Sequence, residues 1–478
     1  MAREMSLVIH YLLLFFGSLI FLYMAVAILT YSIMLVMSAF QLRKRYKVDK
    51  HEDDDTFIDA FYSKPVSIIV PAHNEEAGIL DNIYSLLNLR YPQTEIIIVD
   101  DGSTDGTKAH AISQFRMRSA HKEIQKELDS KEIKEIYQSD IHPHLWLIHK
   151  EQGGKADALN AGINFSRYPY FCSIDGDSIL DEKSLLRVMK PMMASSGDVI
   201  GAGGNVRIAN GFGVQSGNVF EASISRNALV MMQIAEYLRA FLMGRIALST
   251  YNLNLIISGA FSVFSKKWVI AAGGYSPKSV GEDMELVTRM HVYIKEKKLN
   301  KRIAFMPDPI CWTEAPEKMS VLRRQRRRWH QGLVESLWAN KRVLFNPKYG
   351  SIGMIAFPYF WLIECLGPLI ELGGYIYVGW AYFSGGIYYE FSILLILVFV
   401  LYGSLFTVSS LLLSAWSMNA YPRAGELFKL LLLSLTEVFW YRPLTLVWRC
   451  EGFIRSIMKK REWGQMKRVG LSRKGASS

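Results

Sequence analysis

A chain of 478 residues, half of them hydrophobic, exceeds what a single core usually organises, so more than one structural unit is expected. The formal charge of +11 comes from basic residues grouped beside apolar runs, which argues against a nucleic-acid-binding protein. Four cysteines, at positions 172, 311, 365 and 450, lack the spacing of a metal module, and reduced thiols are expected.

Met5 to Phe40 carries no Lys, Arg, Asp or Glu, enough for one long tilted helix across a hydrocarbon core of about 30 Å. The run is too long for a cleaved signal peptide, and Arg3 is the only basic residue before it. Arg43, Lys44, Arg45 and Lys47 follow this run, and Lys459, Lys460, Arg461, Lys467 and Arg468 follow the last apolar segment. This positive-inside pattern puts the middle of the chain in the cytosol. Lys47 to Asp55 reads as a charged linker.

Val66 to Pro71 and Glu95 to Asp100 read as buried β-branched strands, and the residues from Ala77 to Leu89 between them have helical spacing. That βαβ unit predicts parallel strands. The second strand ends in Asp100-Asp101-Gly102-Ser103-Thr104-Asp105-Gly106-Thr107, a turn able to cap a helix starting near Thr107. Residues 118 to 139, dense in Lys and Glu, read as an exposed amphipathic helix. A third strand, Leu145 to His149, leads into Gly153-Gly154-Lys155. Neither the P-loop pattern nor a G-x-G-x-x-G after a strand is present, which argues against a Walker nucleotidase and a dinucleotide dehydrogenase.

Phe171 to Ile174 reads as a buried strand that stops at Asp175-Gly176-Asp177. It places two carboxylates at a carboxyl-terminal sheet edge, where open α/β sheets bind ligands. Such a pair suits Mg²⁺ or Mn²⁺, which keep open positions for substrate phosphates.

Val66 to Glu76, Val99 to Thr107, Gly153 to Gly162 and Asp175 to Asp177 together resemble the nucleotide-sugar-binding half of an inverting family 2 glycosyltransferase. Ile257-Ser258-Gly259-Ala260-Phe261, Gly281-Glu282-Asp283 and Gln325-Arg326-Arg327-Arg328-Trp329 extend the resemblance to the membrane-embedded processive branch. That branch holds cellulose, chitin, hyaluronan and poly-β-1,6-N-acetylglucosamine synthases. The resemblance implies an α/β GT-A fold, Rossmann-like with a mostly parallel sheet, a UDP-sugar donor, a glycan or lipid-linked acceptor, and a divalent cation. It divides the chain into a transmembrane helix (1–47), a cytosolic catalytic domain (48–330), an interfacial helix (331–350), transmembrane helices (351–450) and a basic cytosolic tail (451–478).

Residue by residue, the resemblance puts Asp100 and Asp101 at the uracil and ribose and Lys155 near the diphosphate. Asp175 sits at the ribose and the metal, and Asp177 is the more direct metal ligand. Asp283 is the base that takes the acceptor hydroxyl proton, a role worth about 10²- to 10⁴-fold. Glu282 is an acceptor-side neighbour that must point elsewhere on a helix. Gly281 stands where several relatives carry Thr, a change not expected to disturb the base. Ser258 and Gly259 line the acceptor terminus, where small residues allow close approach. Gln325 and Arg328 contact diphosphate, whose oxygens suit the planar guanidinium fork, and Trp329 stacks on the acceptor sugar. Arg323 and Arg324 are expected at the membrane surface.

Apolar stretches near 352–383, 391–416 and 427–448 follow, holding Glu364, Glu371, Glu437 and Arg442. Carboxylates at membrane depth are costly, so a protein-lined channel or an interfacial position is expected for them. Three C-terminal crossings after one N-terminal crossing would leave the basic tail outside. The chain therefore either holds two passes in one run or, as the Tyr441-Arg442-Pro443 break favours, lays its last segment along the cytosolic face. Three functions stay open: a processive polysaccharide synthase, an enzyme adding one sugar to a lipid, and a membrane receptor or transporter with a nucleotide-sensing domain. The last leaves Asp283 and the Arg-Trp motif without a role.

Overall fold

The structure, a computed structural model, describes residues 2–49, 63–215, 217–220, 224–383, 403–414 and 424–459. In chain order the first elements are α1 (Ala2–Asp49), β1 (Val66–Ala72), α2 (Ile79–Leu87), β2 (Thr94–Asp100), α3 (Thr107–Gln114), β3 (Met117–Ser119), β4 (Ile133–Ser139), β5 (Leu145–Lys150), α4 (Lys155–Phe165) and β6 (Tyr170–Ile174). Then come β7 (Ile179–Leu180), α5 (Ser184–Ala194), β8 (Val199–Ile208), the short β9 (Gly213–Gln215) and β10 (Asn218–Phe220), and α6 (Ala228–Leu238). A wide π-helical segment, Arg239–Arg245, joins α6 to α7 (Ile246–Thr250), followed by β11 (Phe261–Ser265), α8 (Lys266–Ala271), α9 (Glu282–Glu296), β12 (Arg302–Thr313) and α10 (Met319–Ala339).

Ten strands form one sheet in the order β3-β4-β5-β2-β1-β6-β11-β8-β12-β7. β1, β2, β5 and β6 run parallel, so the βαβ reading and the strand ending at Asp175 hold. Ile68, Ile69, Ile96, Ile97 and Ile98 are fully buried because helices cover both faces, which is why these strands read as continuous apolar runs. β11 pairs antiparallel with β6, aligning Phe261 with Ile174, and so brings Ser258-Gly259-Ala260 to the carboxyl end of β6.

The stretch 118–139 is not a helix. It forms β3, a loop and β4, with β4 paired antiparallel to β5. Six of its eight Lys and Glu residues lie in that exposed loop, and only Lys134 and Glu135 fall in β4. The boundary expected at 330/331 falls inside α10, which continues unbroken to Ala339. Helix α1 extends through Asp49, so the linker expected from Lys47 begins as helix; its remainder lies outside the described residues.

The C-terminal part holds α11 (Phe357–Tyr359) flanked by π-helical turns at Ile352–Ala356 and Phe360–Cys365, then α12 (Gly367–Phe383), α13 (Gly403–Ser414), α14 (Ala424–Ser434) and α15 (Tyr441–Ile457). Leu14–Arg45 and Ile352–Trp380 are long and apolar enough to cross a membrane. The acids expected in costly positions are paired: Glu371 with Arg442 at 2.7 Å, Glu437 with Arg239 at 2.9 Å, and Glu364 with Arg449 at 3.5 Å and the Tyr359 hydroxyl at 2.7 Å. The last helix, α15, packs along α10 of the catalytic unit, and Arg323 donates to Glu451 of α15 through Nε at 2.9 Å. Residues 460–478, most of the expected basic tail, lie outside the described residues.

Candidate active site

The site is built where β1, β2, β5 and β6 end. The loops after β1 and β2 interlock: Asn74 N–H donates to Ser103 Oγ at 3.0 Å, Thr104 N–H to Asn74 Oδ1 at 2.9 Å, and Glu75 N–H to Thr107 Oγ1 at 2.9 Å. Asn74 takes a left-handed conformation, φ 56°, which asparagine tolerates better than most residues. Asp105 accepts the Thr107 N–H at 3.0 Å, so it, and neither member of the Asp100–Asp101 pair, stabilises the start of α3.

Asp100 and Asp101 are buried. His149 Nδ1 lies 2.5 Å from Asp100 Oδ2, and Ser103 N–H donates to Oδ1 at 3.2 Å. Asp101 accepts from Lys150 Nζ at 2.6 Å and from the Gly153 and Gly154 N–H groups at 2.9 and 2.6 Å. It therefore shapes the turn that launches α4, a turn needing Gly154 at φ 89°. Lys150 has no exposed surface and also pairs with Asp157 at 2.6 Å. Sequence reasoning missed it, although a lysine fused to the end of an apolar strand and followed by a double glycine was a usable signal.

That turn aims Lys155, the first residue of α4, across the sheet edge. Its Nζ lies 2.6 Å from Asp175 Oδ1, 3.2 Å from Glu282 Oε1 and 3.4 Å from the Gly259 carbonyl. Burial alone would lower the ammonium, but Asp175, Glu282 and Asp283 outweigh it and hold the group above its ordinary range. Asn82, buried on α2, fixes the Asp175-Gly176-Asp177 turn by donating to the Asp175 and Ser178 carbonyls at 3.1 and 2.6 Å.

Asp283 sits in the first turn of α9, where the helix dipole favours a carboxylate. Its Oδ1 accepts the Met284 N–H at 2.8 Å. On the other side it lies against Gly259: a Cβ there would come within 2.7 Å of Asp283 Oδ2. Burial, with the Glu282 charge beside it, holds the Asp283 carboxyl above the ordinary carboxylate range, against the opposing pull of Lys155 and Arg245. Glu282, 8% exposed, turns to Lys155, as neighbours on a helix must diverge. Ser258 is buried and its Oγ accepts the Ala260 N–H at 3.2 Å. Asp175, Lys155, Glu282, Gly259 and Asp283 thus form one continuous cluster from four distant stretches of chain.

On α10, Gln325, Arg328, Trp329 and Gly332 share one face by the 3.6-residue repeat. Gly332 meets Gly281 directly, a Cβ on Gly281 falling 2.9 Å from the Gly332 Cα. This face therefore borders the turn that carries Glu282 and Asp283. Trp329 is 43% exposed, with the Arg326 guanidinium 4.4 Å over its ring and the Tyr237 ring 6.2 Å away. Arg326 itself is buried on Glu236 at 2.7 Å, whose carboxylate also accepts from Tyr441 at 2.6 Å.

A mostly parallel sheet with acids at its carboxyl edge, facing a carboxylate at a helix start, is a GT-A fold. The chain belongs to the family described as "Glycosyltransferase like family 2", which it matches over residues 64–332. It is 28% identical over 305 residues to a poly-β-1,6-N-acetyl-D-glucosamine synthase of Staphylococcus epidermidis, and 28% identical over 296 residues to one from Staphylococcus aureus. The first match covers 62% of this chain and 62% of that protein, and the second 61% and 59%. The fold is similar to that of a mannosyltransferase from Pyrobaculum calidifontis solved with GDP-Man and Mn²⁺: TM-score 0.51, 17% identity, covering 86% of this chain and 99% of that one.

Proposed function

We propose that this protein is an inverting β-glycosyltransferase that transfers a sugar from a UDP-sugar, N-acetylglucosamine before glucose, to a growing polysaccharide and passes the polymer through attached membrane helices. The observation that carries this reading is the approach of Asp283 to Gly259, on the same wall that Lys155 ties to Asp175. A carboxylate held against a side-chain-free wall beside the donor acids has room for a sugar hydroxyl and a place to take its proton.

In the proposed reaction, Asp283 accepts the acceptor hydroxyl proton while that oxygen bonds to the anomeric carbon and the bond to the diphosphate breaks, releasing UDP. Gln325 and Arg328 hold the diphosphate, with Arg328 suited to bidentate contact. Trp329 offers an exposed indole to the acceptor ring, and Ser258 and Gly259 let it approach. Asp100 and Asp101 set the nucleoside end through the loops they shape, and Glu282 keeps Lys155 turned toward the donor.

Among the described residues, no cluster of three or more His, Cys, Asp or Glu is placed to hold a metal ion. The Asp175–Asp177 pair still fits Mg²⁺ or Mn²⁺, which bind through one or two carboxylates and complete their shell with phosphates and water. Asp177 would be the direct ligand, because Asp175 shares its charge with Lys155; when bound, the ion neutralises charge on the departing diphosphate. The neighbour of similar fold solved with GDP-Man and Mn²⁺ supports a divalent cation here.

The two long apolar helices support a multi-pass membrane protein with the α/β unit, through the end of α10, as the cytosolic enzyme. The packing of α15 on α10 supports a last segment lying along the cytosolic side, so the basic tail stays on the positive side. The full chain in detergent, given radiolabelled UDP-N-acetylglucosamine or UDP-glucose, tests the proposal. A long product digestible by a linkage-specific hydrolase is expected. A single-sugar glycolipid would replace the polymer with a lipid acceptor, and no turnover of either donor would end the reading.

A further inference from the structure

Arg245 closes the π-helical segment after α6 and belongs to none of the motifs above. Its guanidinium carbon lies 3.8 Å from the centre of the Phe241 ring, close enough for a strong cation–π contact. Its Nη1 is buried and has no hydrogen-bond partner among the described residues. A buried guanidinium N–H left unmade is costly, so such a group is normally kept for a ligand or for water. π-helical segments themselves recur at functional sites.

Two further observations say what kind of ligand. Asp283 and Arg245 act on each other's charge: burial draws the guanidinium down to about 10 against the opposing pull of the carboxylate, and the guanidinium in turn lowers the carboxyl. The rings on the same segment run from Arg245 toward the exposed indole: Phe241 to Tyr237 is 5.8 Å and Tyr237 to Trp329 is 6.2 Å. Arg245 thus terminates an aromatic row that begins at the exposed Trp329 indole proposed to stack on the acceptor, while Lys155 pairs with Asp175. The backbone is fixed as well. Asn254 Nδ2 donates to the Arg245 carbonyl at 3.0 Å, and His291 Nε2, on the helix that carries Asp283, donates to the Asn254 carbonyl at 2.9 Å.

We propose that Arg245 is an acceptor-binding residue, its Nη1 donating to a hydroxyl or acetamido oxygen on the terminal sugar of the acceptor glycan so that the attacking hydroxyl is presented to Asp283. This rests on the glycosyltransferase reading above. The sugar carries no charge, so the contribution of Arg245 is hydrogen bonding and register.

The test uses the full chain with UDP-N-acetylglucosamine as donor and a soluble β-1,6-linked N-acetylglucosamine oligomer as primer. Arg245→Met should raise the KM for the primer about 10- to 100-fold, the range for losing a hydrogen bond from a charged donor, with the KM for donor within about twofold. Arg245→Lys, which keeps the cation over Phe241, should fall between Met and the wild type and guards against a Met variant that misfolds; retained UDP binding confirms that each variant is folded. Primer KM unchanged in both variants, or donor KM raised as much as primer KM, overturns the proposal. An inactive wild-type chain would instead overturn the underlying reading.

Discussion

Gly281 and Gly332 touch backbone to backbone, locking the turn that presents Asp283 onto the helix that presents Trp329. A Cβ on either glycine would sit 2.9 or 2.7 Å from the other's Cα, and Val280 N–H donates to Glu335 of the same helix at 3.2 Å. Gly281, where the resemblance implies threonine, is thus matched by a glycine across the contact. Gly332→Ala and Gly281→Thr should each cost about 1–3 kcal/mol of stability and most of the transfer activity, because backbone cannot yield as a side-chain tip can. Thermal unfolding and turnover check this beside Gly78→Ala, whose added Cβ meets nothing within 4 Å and should change neither.

Gly259→Ala is expected to leave the fold intact and cut transfer about 100-fold, the usual effect of displacing a reacting group by an ångström. The new methyl would land 2.7 Å from Asp283 Oδ2 and push the carboxylate off line. Single-turnover rates at saturating donor measure the loss. An unchanged rate would show that Asp283 has freedom the contact denies it.

The acid limb of the rate–pH profile should lie above the ordinary carboxylate range, because Asp283 must be ionised to act and burial with Glu282 raises it. The two neighbours pull in opposite directions. Glu282→Gln removes a negative charge and should move the limb down; Lys155→Gln removes a positive charge and should move it up. For stability the sign follows from the raised carboxyl: its contribution is fullest at low pH and falls away as pH rises through the folded value.

Breaking the Lys150–Asp101 pair should be a folding defect. Lys150→Met leaves Asp101 and Asp157 buried without their cation, a loss on the order of 3–5 kcal/mol by analogy with other buried pairs. Denaturant midpoints for this variant should fall far more than those of Asp283→Asn, which should keep its fold and lose transfer. Equal midpoints for the two would contradict the burial seen here.

Chelation should abolish transfer, with Mg²⁺ or Mn²⁺ restoring it. In Asp177→Asn the metal concentration giving half-maximal rate should rise at least about tenfold, as loss of one hard-oxygen ligand demands. Metal-independent transfer would remove the role given to the Asp175–Asp177 turn.

The amino-acid sequence by itself determined the parallel core and the points where its strands stop. The run from Phe171 to Ile174 is mostly apolar because both sheet faces are covered, and the acids after it, like Asp100 at the end of β2, lie where the strands give way to turns. The tertiary structure alone decided how those local pieces meet. Residues 118–139 carry helix-favouring Lys and Glu, but pairing of β4 with β5 overrode that propensity. The burial of Lys150, the open guanidinium of Arg245 and the two glycine contacts all join stretches tens of residues apart. Local propensity reports only on a residue and its near neighbours along the chain, whereas whether a charge is paired or a glycine is required depends on which distant atoms the packing brings against it.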